Sequence, residues 1–171
     1  MRLDQIVLHV IDGLKPYAVT AKAALRTARD PFDVLEMLMN SPDGLMIIVH
    51  YAGCETTGES DGEPQEATYQ ETNELIEIVV GSAMGPGSLR DKALVQGSGN
   101  RPGLIQRIGE VRALALSFVL PDDETTLRRL KLRGCDAVTT PEGLSLAAYR
   151  LRFSIHAVVE VGEDTVLPKE D

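Results

Sequence analysis

A chain of 171 residues, 43% hydrophobic and 25% charged, is long enough to bury a real core, and no composition break divides it in two. Its 17 basic residues against 26 acidic ones leave a formal charge of -9, which excludes a protein that grips nucleic acid through counterion release. Asp4 and Asp12 interrupt the N-terminal apolar stretch, and no apolar run approaches the roughly 20 residues of a membrane span, so neither a signal peptide nor a transmembrane helix is expected. With no secretion expected, Cys54 and Cys135 read as two free thiols in a reducing compartment.

Leu3, Ile6, Val7, Val10 and Leu14 recur at helical spacing and predict a short amphipathic helix closing near Lys15-Pro16. The alanine-rich stretch from Tyr17 to Arg29 reads as helix or loop. A second helix then opens with Asp30 as N-cap, Pro31 in the first helical position and Asp33 in the first turn. Phe32, Leu35, Leu38 and Met39 form its expected apolar stripe, and Asn40-Ser41-Pro42-Asp43-Gly44 ends it with turn chemistry. Leu45 to Tyr51 is a nearly unbroken apolar run that predicts a strand buried on both faces. Residues 53–66 read as an exposed acidic loop leading to a strand over Thr68 to Val80. After a glycine-rich connection, Leu104, Ile108, Val111, Ala115 and Phe118 share one helical face and predict the main packing helix, which ends before Pro121. Leu130 and Leu132 alternate with charged residues in a further strand, and Thr139 to Gly143 reads as a turn. From Tyr149 to Val161, apolar odd positions alternate with mostly polar even ones, which predicts a long strand with one buried face. The elements predict an α+β domain over residues 1–162, with one mostly antiparallel, mixed sheet and amphipathic helices packed on it, followed by a frayed tail over 163–171.

The glycine-rich stretch GSAMGPGSLRDKALVQGSGNRPG, Gly81 to Gly103, invites a phosphate-binding reading that its residues do not support. A P-loop starting at Gly81 would need glycine where Pro86 stands, and Gly97-Ser98-Gly99 meets Pro102 where a dinucleotide fingerprint requires its third glycine. His9, His50 and His156 each stand in an apolar-periodic element without further ligands at metal-binding spacing. Cys54 beside Glu55 sits where a thiolate is disfavoured, and Cys135 follows Gly134 in a turn or strand. Ser88, Ser98 and Ser145 lack the Gly-x-Ser-x-Gly setting of a nucleophile elbow, and Glu59, Asp61, Glu63 and Glu66 lack the spacing of a calcium loop. No catalytic residue, cofactor site or metal site is therefore assigned.

The order of these segments resembles the tail terminator, or tail-completion, proteins of long-tailed bacteriophages and prophages. The resemblance covers most of residues 1–161. It is carried by the N-terminal LDQIVLHVIDGL, the apolar strand LMIIVHYAGCE, the strand ATYQETNELIEIVV, the helix RPGLIQRIGEVRALAL and the last strand LAAYRLRFSIHAVVEV. It implies a non-enzymatic homo-hexameric ring in the virion tail, assembled in the bacterial cytoplasm, that caps the head-proximal end of the tail tube and stops its growth. The implied partners are further copies of the chain, the tail tube protein and the head–tail connector, with DNA passing the lumen unbound and no membrane involved. An acidic lumen suits that passage. The stretch from Tyr17 to Asn40 is longer than a minimal terminator requires, which keeps another neck, head–tail joining or minor tail protein as the alternative, with a host binding module or a small enzyme behind it. In a ring, the glycine-rich stretch becomes an assembly arm, anchored by Met84, Leu89, Leu94 and Val95 and charged by Arg90, Lys92 and Arg101.

Overall fold

The computed structural model describes residues 3–40, 44–56, 69–83, 94, 97, 102–122, 126–139 and 146–160. In chain order they form α1 (Leu3–Ala21), β1 (Ala24–Ala28), α2 (Pro31–Met39), β2 (Leu45–Thr56), β3 (Tyr69–Ala83), α3 (Leu104–Ser117), β4 (Val119–Asp122), β5 (Thr126–Arg129), β6 (Lys131–Ala137) and β7 (Leu146–Glu160). Five strands make one mixed sheet in the order β1-β2-β3-β7-β6, parallel only between β1 and β2, and β4 pairs with β5 in a separate ribbon. This is the α+β class that the periodicities predict.

α1 does not close at Pro16. A proline inside a helix removes one backbone hydrogen bond and costs about 3 kcal/mol in isolation, yet the helix runs on to Ala21. Val10, Leu14 and Ala18, four residues apart, are all buried, so continuing the helix carries the buried stripe one turn further. It ends where Lys22 takes φ 54°. There the Lys22 N–H donates to the Val19 carbonyl and the Ala23 N–H to the Ala18 carbonyl, the pairing of a Schellman turn.

The turn delivers the chain into β1, a strand that the alanine-rich reading left as helix or loop. ALRTA has little strand propensity of its own. It is extended because it lies in register against Met46 to His50 of β2, the most deeply buried run of that strand. α2 begins as predicted: the Asp30 carboxylate accepts from the backbone N–H groups of Phe32 and Asp33 at 2.8 and 2.9 Å. Its buried stripe, however, is Val34 and Leu38. Phe32 is 83% exposed and Met39 51%, so the expected stripe is corrected. Six of the nine α2 residues are apolar, leaving two candidate faces, and the sheet takes the one that fits beside Gly81. A Cβ on Gly81 would stand 2.7 Å from Leu38 Cδ2 and 3.2 Å from the Ala148 Cβ, so Leu38 takes its present position against a residue without a side chain.

The sheet has two unlike faces. On the first, Ile47, Val49, Ile76, Ile78, Val80, Leu151, Phe153 and Ile155 pack under Ile6, Val10 and Leu14 of α1 and Leu104, Ile108, Val111 and Ala115 of α3. The predicted face of α3 and the predicted odd-numbered face of β7 are therefore the buried ones. On the second face, Met46, Ile48, Val79, Leu146 and Ala148 meet Val34 and Leu38 of α2. The order of elements read from the sequence lacks β1 and the β4–β5 ribbon. It also ends β2 too early: Gly53 to Thr56, expected in a loop, continue the strand past a bulge at Gly53, where φ is +105°. The turn residues 140–143, the acidic group Glu59, Asp61, Glu63 and Glu66, and the tail 163–171 lie outside the described residues, as do Ser88, Ser98 and Ser145.

Candidate functional site

Beyond α2, the second face carries charge instead of apolar side chains. Alternation along β3 and β7 puts Glu77, Arg150 and Arg152 on this side, and the flanking strands add His50 from β2 and Asp136 from β6. Arg150 donates to Asp136 Oδ2 from Nη2 at 2.8 Å and lies 3.5 Å from Glu77, while Arg152 Nη2 stands 3.0 Å from Asp136 Oδ1. His50 is 4% exposed, with Nδ1 3.5 Å from Glu77 Oε2. The Arg150 hydrogen bond, with the charges of Arg150 and Arg152, holds the Asp136 carboxyl below the usual carboxylate range against the opposing effect of burial, and the same bond raises Arg150. Next to this network, Arg133 Nε donates to the buried Ser154 hydroxyl at 2.7 Å. A pocket of about 190 Å³ opens there between Glu55, Leu75, Glu77, Arg133 and Arg152. Its described lining holds two guanidinium groups and two carboxylates among apolar side chains. The arrangement is a broad surface of compensated charge, suited to meeting another polar surface.

The first face carries one polar group inside its core. Glu74 is 2% exposed, and its carboxylate accepts from Tyr51 Oη at 2.6 Å and Thr72 Oγ1 at 2.5 Å. Burial, then the hydrogen bond to Glu74, push the Tyr51 phenol well above its ordinary value. The bulge at Gly53 changes the side-chain parity of β2, so Cys54, like Tyr51, sits level with this group. Glu74 shares its parity with Ile76 and Ile78, and that signal in the sequence went unused.

A second polar contact joins the two helices of this face. Tyr17 Oη donates to Glu110 Oε2 at 2.6 Å, and Arg107 lies over the Tyr17 ring at 6.0 Å from its centre. Burial, then this hydrogen bond, push Tyr17 up to about 12. Burial works to raise Glu110, but the hydrogen bonds from Tyr17 and Gln106 and the Arg107 charge hold it below its ordinary value.

The three histidines are not brought together. His9 on α1 donates to the Val119 carbonyl at 3.1 Å, His50 lies against Glu77, and His156 lies on β7 opposite Asn73. Among the described residues no group of three or more His, Cys, Asp or Glu side chains converges as metal ligands would. Cys54 and Cys135 are free and exposed, on β2 and β6; the loop expected around Cys54 is strand. Of the assembly-arm residues, Met84, Leu89, Arg90, Lys92, Val95 and Arg101 lie outside the described residues. Leu94 is described, and it packs against the main core. No protein-family model matches the chain, and a search of curated protein sequences finds no relative.

Proposed function

We propose that this chain is a non-enzymatic structural protein of a phage tail, similar to tail terminators, which forms a ring on the head-proximal end of the tail tube. The observation that carries the reading is the part of the second face that no described helix covers. A sheet surface of side-by-side ion pairs, Arg150 and Arg152 with Asp136 and Glu77, offers a polar patch to another protein, and the pocket of about 190 Å³ beside it is smaller than the roughly 300–1,000 Å³ usual for a small-molecule site. The acidic balance of the chain adds support, because DNA passing a negatively charged lumen is not held there. The order of α1, β2, β3, α3 and β7 follows the order on which the resemblance rests.

The test is electron microscopy of the purified chain mixed with tail tubes of the same phage. The expected result is a ring at one end of each tube and an end to tube elongation; tubes that keep growing with bare ends would overturn the reading. A neck or head–tail joining role is the second reading, favoured by the additional strand and helix over residues 24–39. Binding to the head connector with no affinity for tube ends would select it.

A further inference from the structure

β1 and β6 are the outer strands of the five-stranded sheet, and among the described residues neither is paired on its outer side. Such a strand presents a row of unpaired N–H and C=O groups on which a further strand can grow, from another protein or from a second copy of the chain. Both strands carry features that work against that growth. β1 is only five residues long, with Arg26 and Thr27 exposed. Arg26 stands opposite Ile48, on the second face, and its Nη1 donates to the Leu25 carbonyl at 3.3 Å, so a guanidinium already occupies an acceptor of the strand's own backbone. On β6, exposed Lys131 and Arg133 flank Leu132, which is itself partly exposed. The register of β6 against β7 breaks between Leu132 and Gly134, and a bulge of this kind bends the strand out of a regular ladder. Arg133, the extra residue, turns onto the second face, where its Nε donates to the Ser154 hydroxyl.

From these features we infer that Arg26 on β1, and Lys131 together with the bulge on β6, keep both edges of the sheet from accepting a further strand, so that contacts with partners or other copies are left to surfaces other than the strand edges. A strand laid against β1 has to displace the Arg26 guanidinium from the Leu25 carbonyl and leave it beside the new ladder. A strand laid against β6 meets a bent backbone between two cations. Copies joined edge to edge with their faces aligned also bring Arg26, Lys131 or Arg133 of one beside those of the other, and like charges directly opposite are destabilising. The acids on neighbouring elements are already engaged in part: Asp33 is tied to Arg29, and Asp136 to Arg150 and Arg152. The block is independent of the tail role proposed above.

Sedimentation velocity and thioflavin T fluorescence of the full chain test it, with Arg26→Val, Lys131→Val and the combined variant. Arg112→Val, on the exposed side of α3, makes the same chemical change away from the edges. Each substitution removes a positive charge from a chain at -9, so repulsion between copies grows and association through general stickiness is opposed. The combined edge variant should nevertheless associate at a concentration roughly tenfold or more below wild type, with a rise in thioflavin T signal, while Arg112→Val stays with wild type. Should a valine variant lose the wild-type circular dichroism spectrum, Arg26→Thr and Lys131→Thr repeat the comparison with a polar residue that suits a strand. A combined variant that sediments as wild type does overturns the block, as does an Arg112→Val chain that associates equally. A wild-type oligomer whose β1 or β6 amides gain hydrogen-exchange protection over the monomer overturns it as well.

Discussion

On the helix-covered face of the sheet, Ile76, Ile78, Leu151 and Phe153 are closed from water beneath α1 and α3, whereas the opposite face is apolar only where α2 lies and turns to ion pairs beyond it. Neighbours along one strand therefore sit in different physical settings: Phe153 is fully buried while Arg152, one residue away, has a half-exposed side chain paired with Asp136. The lesson is that the first face is closed by its helices, whereas the second face is closed only under α2 and leaves its ion pairs partly exposed among the described residues. Substitutions on the two sides should separate cleanly.

The largest separation is expected within β7. Phe153→Asp puts an unpaired charge into the first-face core at a cost of several kcal/mol, comparable with the stability of a whole domain, and should leave the chain unfolded or aggregated. Arg152→Asp loses one partly exposed ion pair and places two acids together, at a cost of about 1 kcal/mol after solvent screening. Thermal melts of the two variants decide it; equal tolerance would show that the two faces have been assigned wrongly.

Next in size is the polar group inside the first face. Tyr51→Phe removes one of the two hydroxyls that hold the buried Glu74 carboxylate, and should cost about 1.5–3 kcal/mol, the range for hydrogen bonds to charged groups. Urea unfolding measures it. A loss of only a few tenths would mean that water reaches Glu74 and that the helix-covered face is less closed than its burial implies.

The ion pairs of the second face should matter less and depend on pH in one direction. The folded-state pKa of Asp136 is depressed by Arg150, so on acidification the unfolded chain takes up the proton first. Its contribution is present above the ordinary carboxylate value of about 3.9 and fades as the pH falls through the lower folded value. Asp136→Asn should therefore be less stable than wild type by up to about 1 kcal/mol at neutral pH, with the gap closing in acid as the pH falls below the ordinary carboxylate range. Paired urea melts at neutral and acid pH check the sign, and a gap that widens in acid would contradict it.

How much of this contrast could be read in advance varied from element to element. α3 and β7 were legible because each shows one apolar period, 3.6 or 2, and the buried residues are the ones those periods select. The α2 cap was legible because Asp30-Pro31 is local chemistry, but its buried face was not, because apolar residues on both sides of the helix leave the choice to packing at Gly81. β1 was illegible for the opposite reason: ALRTA states no preference, and the strand exists only through β2. The charged surface combines residues from four strands, so no single stretch of sequence could announce it. Glu74 alone left a trace, the parity it shares with Ile76 and Ile78.

The smallest effect concerns the turn that carries the chain from the first face to the sheet edge. Lys22 holds φ 54° at the position of the Schellman turn where glycine is usual, and no glycine in AKAA marked the turn. A side chain in this conformation costs about 1 kcal/mol, part of which a glycine gives back by loosening the unfolded chain. Lys22→Gly should thus stabilise the protein by about 0.5 kcal/mol, a shift of roughly 1–2 °C in Tm. Removing the lysine also takes a cation from the C-terminal end of α1, where the helix dipole favours it, and that loss opposes the gain. Lys22→Ala separates the two effects, because alanine keeps the backbone strain while losing the charge. The expected order of Tm is Gly above Lys above Ala. If Ala rises as far as Gly, the gain comes from the charge and the backbone at Lys22 is not strained; if the order holds, the turn into β1 is under tension that packing of β1 against β2 outweighs.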